Sequence, residues 1–173
     1  MSALFQGAIS SYLVNTAPTV LNFPFSVGMW INLTAAGSVN RNLWGLSDIA
    51  TSTNYLTIRM NASETLVMAA ASTAVAENAF TLGAALVPNR WQFILCRFIA
   101  ANNRRGAILS YAGGLSFNWT TNSRAPSGFD LMTLGAISTS AGLTDQVTSV
   151  PWNGQIAEYW LANSDVYFNS TQN

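Results

Sequence analysis

Histidine and lysine are both missing from this 173-residue chain, and cysteine occurs once. Without histidine there is no Ser-His-Asp or Cys-His arrangement, and the commonest general base and metal ligand are gone. A single cysteine forms no internal disulfide. Cys96 sits in the apolar run 91–98, where a thiol packs as a small hydrophobe. Charge is equally scarce: seven Arg and seven Asp or Glu sum to zero and make up 8% of the residues, against about 25% in ordinary soluble domains. A chain with no basic excess carries no electrostatic footprint for nucleic acid or an anionic membrane. Arg104 and Arg105 form the one adjacent basic pair, which is expected to be solvated in a turn. No stretch approaches the roughly 20 apolar residues of a membrane helix. Residues 1–7 lack the charged start and apolar core of a secretory signal, so synthesis without export is expected.

What is present is apolar. Half the residues are hydrophobic and 12% are aromatic, so the surface must be built mainly from Ser, Thr, Asn, Gln, Ala and Gly. Such a neutral surface repels copies of itself weakly. An oligomer, or a component of a larger particle that covers its apolar area, is the expected state. The length suits one domain, and no linker or shift in composition divides 1–173.

The hydrophobic pattern has period two. In 25–33, Phe25, Val27, Met29, Ile31 and Leu33 point one way, and Ser26, Gly28, Trp30 and Asn32 the other. In 55–60, Leu56, Ile58 and Met60 alternate with Tyr55, Thr57 and Arg59. The run 90–100 is apolar on both faces, as in a strand covered on each side. Further strands are expected at 42–46, 65–70, 107–111, 115–119, 130–135 and 155–162, separated by turn residues such as Asn102-Asn103 and Gly113-Gly114. The Ala-rich stretch 66–85 has helical propensity but no sustained 3.6-residue stripe, and it reads as strand, loop, strand. Many short strands at this spacing give an all-β sandwich or barrel.

Several segments have a familiar form. FPFSVGMWINL (23–33) resembles the Trp-bearing strand that opens many laminin-G-like, concanavalin-A-like domains, and ALFQGAISSYL (3–13) is similar to the strand pair before it. PNRWQFILCRF (88–98), AILSYAGG (107–114), LMTLGAIS (131–138) and WNGQIAEYWLAN (152–163) resemble later strands of the same family, in the same order. The resemblance implies an antiparallel two-sheet jelly-roll sandwich with one concave sheet. It further implies that Trp30, Trp91 and Ile156 pack in the core and that Glu158 is a structural carboxylate.

Chemistry is poorly supplied. Glycoside hydrolysis needs two carboxylates flanking one bond, whereas the seven acids here are scattered along the chain. With no phosphate loop, dinucleotide fingerprint or metal-spaced cysteines either, neither catalysis nor a cofactor is expected. Calcium needs six to eight oxygens; Asp48 and Asp145 are the loop acids within reach, too few for a metal site. Sugar binding needs exposed aromatics beside amides, and Trp44, Tyr55, Trp119 and Trp152, read as loop aromatics near Asn40, Asn42 and Asn54, supply candidates. The same aromatics also suit a protein interface.

Two functions follow. Eukaryotic members of the resembled family sit in secreted, disulfide-bearing multidomain chains, unlike this one. The resemblance together with the neutral surface therefore implies a structural virion protein: a decoration or cement protein of a tailed-phage capsid, homo-oligomeric and bound to the major capsid protein. The alternative is a glycan-binding, lectin-like module of a phage tail fibre or adhesin.

Overall fold

The computed structural model describes residues 2–6, 13–16, 23–34, 39–48, 54–72, 75–100, 102–109, 115–120, 128–135 and 149–166, which form strands and no helix. The strands are β1 (Ser2–Gln6), β2 (Leu13–Asn15), β3 (Phe25–Leu33), β4 (Asn40–Ser47), β5 (Tyr55–Met60), β6 (Thr65–Ser72) and β7 (Val75–Ala85). They continue as β8 (Trp91–Ala100), β9 (Asn103–Leu109), β10 (Leu115–Thr120), β11 (Leu131–Leu134), β12 (Ser149–Pro151) and β13 (Asn153–Ala162). The Ala-rich stretch thus resolves into β6 and β7, because β-branched residues and cross-strand partners outweigh alanine's helical preference.

One sheet has the order β1-β13-β3-β8-β9-β10 and the other β2-β11-β4-β5-β6-β7, with β12 joined to β4 as its seventh strand. All pairings are antiparallel except that of β12 with β4. The two sheets stack as a sandwich. Its core is the set of inward positions that the alternation singles out: Phe25, Val27, Met29, Ile31 and Leu33 from β3 and Leu56, Ile58 and Met60 from β5 are all fully buried. Phe25 stacks on Phe98 at 4.6 Å between ring centres, and Trp44 closes on Phe98 at 5.6 Å from the opposite sheet.

A β-bulge in β13 breaks the alternation between Ala157 and Trp160. Glu158 takes a left-handed φ of 50° there, which resets the faces. Ile156 and Tyr159 point into the sandwich, Glu158 is exposed, and Trp160 lies over Gly28 on the outside. The carboxylate that the family resemblance casts as structural is therefore a solvent-facing residue at the bulge.

Two further expectations are corrected. Arg104 and Arg105 lie within β9, not in a turn, and Arg104 is fully buried. Arg104, Gly106 and Ile108 share the inward face of β9; Gly106 leaves its space to the Leu82 side chain, and the Arg104 guanidinium turns to Asn78 and Phe80 of β7. Trp91 is 36% exposed, because it opens β8 on the outer face, beside Asn32 of β3.

Candidate functional site

The outward face of the seven-stranded sheet concentrates the polar side chains of the second half of the sandwich. Since Leu56, Ile58 and Met60 face the core, Tyr55, Thr57 and Arg59 must face outward. Asn78 pairs with core-facing Ala70, so its neighbour Glu77 also faces outward. Strand β6 runs between them and presents Val67, Ala69 and Ala71 opposite Arg59, Thr57 and Tyr55. These short side chains leave a floor over which long ones meet.

Three residues do meet there. The Arg59 guanidinium forms a two-pronged ion pair with the Glu77 carboxylate, one prong at 2.6 Å. The Tyr55 hydroxyl donates to the same carboxylate at 2.6 Å. The Arg59 and Glu77 side chains are 13% and 26% exposed, whereas Ala69 beneath them is closed off. Burial alone would push the Glu77 carboxyl upward, but the hydrogen bonds from Arg59 and Tyr55 and the nearby charges of Arg59 and Arg104 outweigh it and hold it low. For Arg59, burial lowers the pKa and the Glu77 carboxylate more than restores it. Glu77 therefore stays ionised at neutral pH, as an acceptor of hydrogen bonds.

Around this triad lie polar atoms that lack partners. Asn42 Nδ2, Ser47 Oγ and Arg59 Nε are buried with no hydrogen bond, although Thr57 Oγ1 donates within the same patch, to Trp44 O at 2.9 Å. Each such orphan costs about 1–3 kcal/mol. Behind the face, Arg104 adds a second positive charge. Its burial lowers the pKa to about 10, partly offset by Glu77, so it stays charged at neutral pH.

The sequence-derived aromatics are placed differently from the expectation of loop residues. Trp44 is in β4 and fully buried; its register opposite Ile58 turns it to the core, where Nε1 donates to the Tyr159 hydroxyl at 3.1 Å. Trp152 is fully buried between β12 and β13. Neither presents a ring to a sugar or a partner protein, a correction that follows from which strand face each occupies. Tyr55 is 6% exposed and contributes its hydroxyl, not a stacking face. Trp119 lies in β10 at the register position of Arg105; its side chain is outside the described residues. Asn42 belongs to the polar patch, whereas Asn54 donates to the Asp48 carboxylate at 3.5 Å, away from it. Asp145 is outside the described residues. No group of three or more His, Cys, Asp or Glu is assembled for a metal among the described residues. Arg59 and Glu77 were missed because they are 18 positions apart in sequence and adjacent only across an intervening strand.

A second concavity of about 140 Å³ lies at the edge formed by β2 and β11, lined mainly by Leu13, Met132, Leu134 and Tyr159. Its walls are apolar, with few groups to bond hydroxyls.

No protein-family model matches the chain, and no curated protein matches it in sequence. Solved structures do match in fold. Domains LG4-5 of the mouse laminin alpha1 chain superpose with a TM-score of 0.68 at 13% identity, covering 96% of this chain and 43% of that one. The CBM40 of the Ruminococcus gnavus IT-sialidase, bound to alpha2,3 sialyllactose, gives 0.65 at 10% identity, covering 84% and 78%. A heptameric SAP-like pentraxin from Limulus polyphemus gives 0.62 at 12% identity, covering 96% and 77%. The chain thus spans less than half of the laminin chain that it matches. The architecture is a concanavalin-A-like jelly-roll sandwich, and at these identities the likeness concerns fold alone.

Proposed function

We propose that this chain is a non-catalytic, lectin-like module that holds a saccharide on the outer face of its seven-stranded sheet. The observation that carries the reading is the Tyr55–Glu77–Arg59 constellation, partly open to solvent over an alanine floor. A carboxylate, a guanidinium and a phenol in fixed positions are the groups that bond sugar hydroxyls. The reading is supported by the carbohydrate-bound CBM40 among the structures of similar fold. A non-enzymatic role suits Glu77, which is kept ionised by Arg59 and has no proton to give as a general acid.

A glycan array followed by calorimetry tests it. Binding of a defined saccharide, lost in Arg59→Met and Glu77→Gln while both variants stay folded, is the expected result; an array with no hit, or a hit that both variants retain, rejects it.

A second reading keeps the capsid-decoration role in a tailed phage, with the virion as location. It is favoured by the neutral apolar outer face of the other sheet, and none of the similar structures supports it. Copurification with an assembled capsid tests that reading.

A further inference from the structure

Alternation sets which residues share the outer face of the six-stranded sheet, and the register lines them up in rows. Since Val27, Met29 and Ile31 of β3 turn inward, Ser26, Gly28, Trp30 and Asn32 turn outward, and they stand beside Arg97, Leu95, Phe93 and Trp91 of β8. The chain covers the first two of these rows itself. Ser26 Oγ donates to Ser164 O at 2.8 Å and accepts from the Val166 N–H at 2.9 Å, while Arg97 grips Asp165 through bonds of 2.7 and 2.6 Å. The Trp160 ring fills the space over Gly28, and Leu95 opposite is closed to solvent. The other two rows are more open. Trp30 and Phe93, edge-on at 5.4 Å, are half-buried, and Trp91 is 36% exposed.

Beside Trp91 the face turns from aromatic to amide. Asn32 lies between Trp91 and Gln155 in register, and its Nδ2 donates to Gln155 Oε1 at 3.3 Å. That bond holds both amides and uses the Gln155 oxygen, so the Gln155 NH2 group remains as a donor. The exposed Thr34 and the half-buried Asn153 follow at the rim, joined by the Thr34 N–H that donates to Asn153 O at 3.2 Å. An exposed indole bordered by amides and a hydroxyl is the equipment that a sugar needs. The ring takes the apolar C–H face of a pyranose, and the polar groups bond its hydroxyls.

We infer that this end of the face is a saccharide site in its own right, where a neutral sugar stacks on Trp91 and is bonded by Gln155, Asn153 and Thr34. Two observations select that ligand. The first is charge. The open rows read Gln155–Asn32–Trp91 and Ala157–Trp30–Phe93–Leu109 across the strands, with no charged residue in either. An ionic ligand finds no counter-charge in them to offset its desolvation. The second is size. Even across the whole six-stranded sheet, with strands about 4.8 Å apart, two rows cover only on the order of 400 Å². That is half of the about 800 Å² that a partner protein contributes to a standard interface. From Gln155 to Trp91 is two strand spacings, about 10 Å, a span on the scale of a disaccharide. The site lies on the opposite sheet from Arg59 and Glu77 and does not rest on the reading given to them.

Titration of the isotope-labelled chain with maltotetraose, cellotetraose, mannotetraose and tetragalacturonate at millimolar concentration tests the assignment. The signals read are the indole N–H resonances of Trp30 and Trp91 and the side-chain NH2 of Gln155. They report this face alone, so a sugar held by Arg59 and Glu77 does not imitate the result. At least one of the neutral sugars is expected to move them saturably, and tetragalacturonate to leave them in place. Trp91→Ala, at an exposed position and folded by circular dichroism, weakens the binding about tenfold or more, read from Trp30 and Gln155. Trp91→Tyr restores part of it, and Gln155→Ala weakens it less than Trp91→Ala does. No response to any neutral sugar, a response to tetragalacturonate alone, or binding that survives Trp91→Ala overturns the inference.

Discussion

Arg59 and Glu77 stand on strands two apart in one sheet, and their side chains pair over the alanines of the strand between them. Neighbouring strands lie about 4.8 Å apart, so the pair bridges roughly twice that distance, which only a long guanidinium arm over small residues can span. The bridge clamps β5 to β7 across β6, and it sets the chemistry of that face.

Removing one end of the bridge leaves the other charge partly buried. Arg59→Met is expected to destabilise the fold by about 1–2 kcal/mol, tempered by the partial exposure of both side chains. Glu77→Gln, which keeps a hydrogen-bond acceptor for Tyr55, should cost less. Urea denaturation of the three proteins checks the order; equal stability of all three would show that the bridge contributes nothing.

The same pair predicts a pH dependence. Burial raises the Glu77 pKa, but the bonds from Arg59 and Tyr55 bring it below its ordinary value. A carboxylate depressed in the folded state stabilises fully above its unfolded pKa of about 4.3. That contribution is lost as pH falls through the lower, folded value. Melting temperatures of the wild type and Glu77→Gln should therefore differ most at neutral pH and converge in acid. A gap that stays constant down to the acid limit contradicts this account.

Trp44 has a purely internal task. Its indole N–H reaches across the sandwich to the Tyr159 hydroxyl, which burial pushes to a higher pKa and which in turn contacts Met132. Trp44→Phe loses that bond and part of the packing on Phe25 and Phe98, a cost of about 1–3 kcal/mol. Saccharide affinity should be unchanged in this variant, since the residue is closed to solvent. A folded Trp44→Phe that has lost binding would place the ligand elsewhere.

Much of the fold was legible because period-two alternation is a local property. The pattern of 25–33 and 55–60 named the buried positions of β3 and β5 correctly, and the order of strand motifs matched the two-sheet sandwich that the structure displays. Alternation states which residues share a face, but not what covers that face. Trp44 and Trp152 read as available aromatics and are core; Trp91 read as core and is exposed; Arg104 read as solvated and is buried beside Asn78.

The candidate site was beyond reach for a related reason. Its members become neighbours through the order β5-β6-β7, and the Tyr55–Glu77 contact needs the register that sets both against Ala71 and its flanking bulge. The sequence by itself determined an all-β chain without histidine, without a pair of cysteines and with a neutral surface, because composition and alternation are written residue by residue. Only the tertiary structure decided which polar residues meet and which aromatics face outward. Strand order, register and a single bulge at Glu158 are long-range outcomes of packing, and no local pattern encodes them.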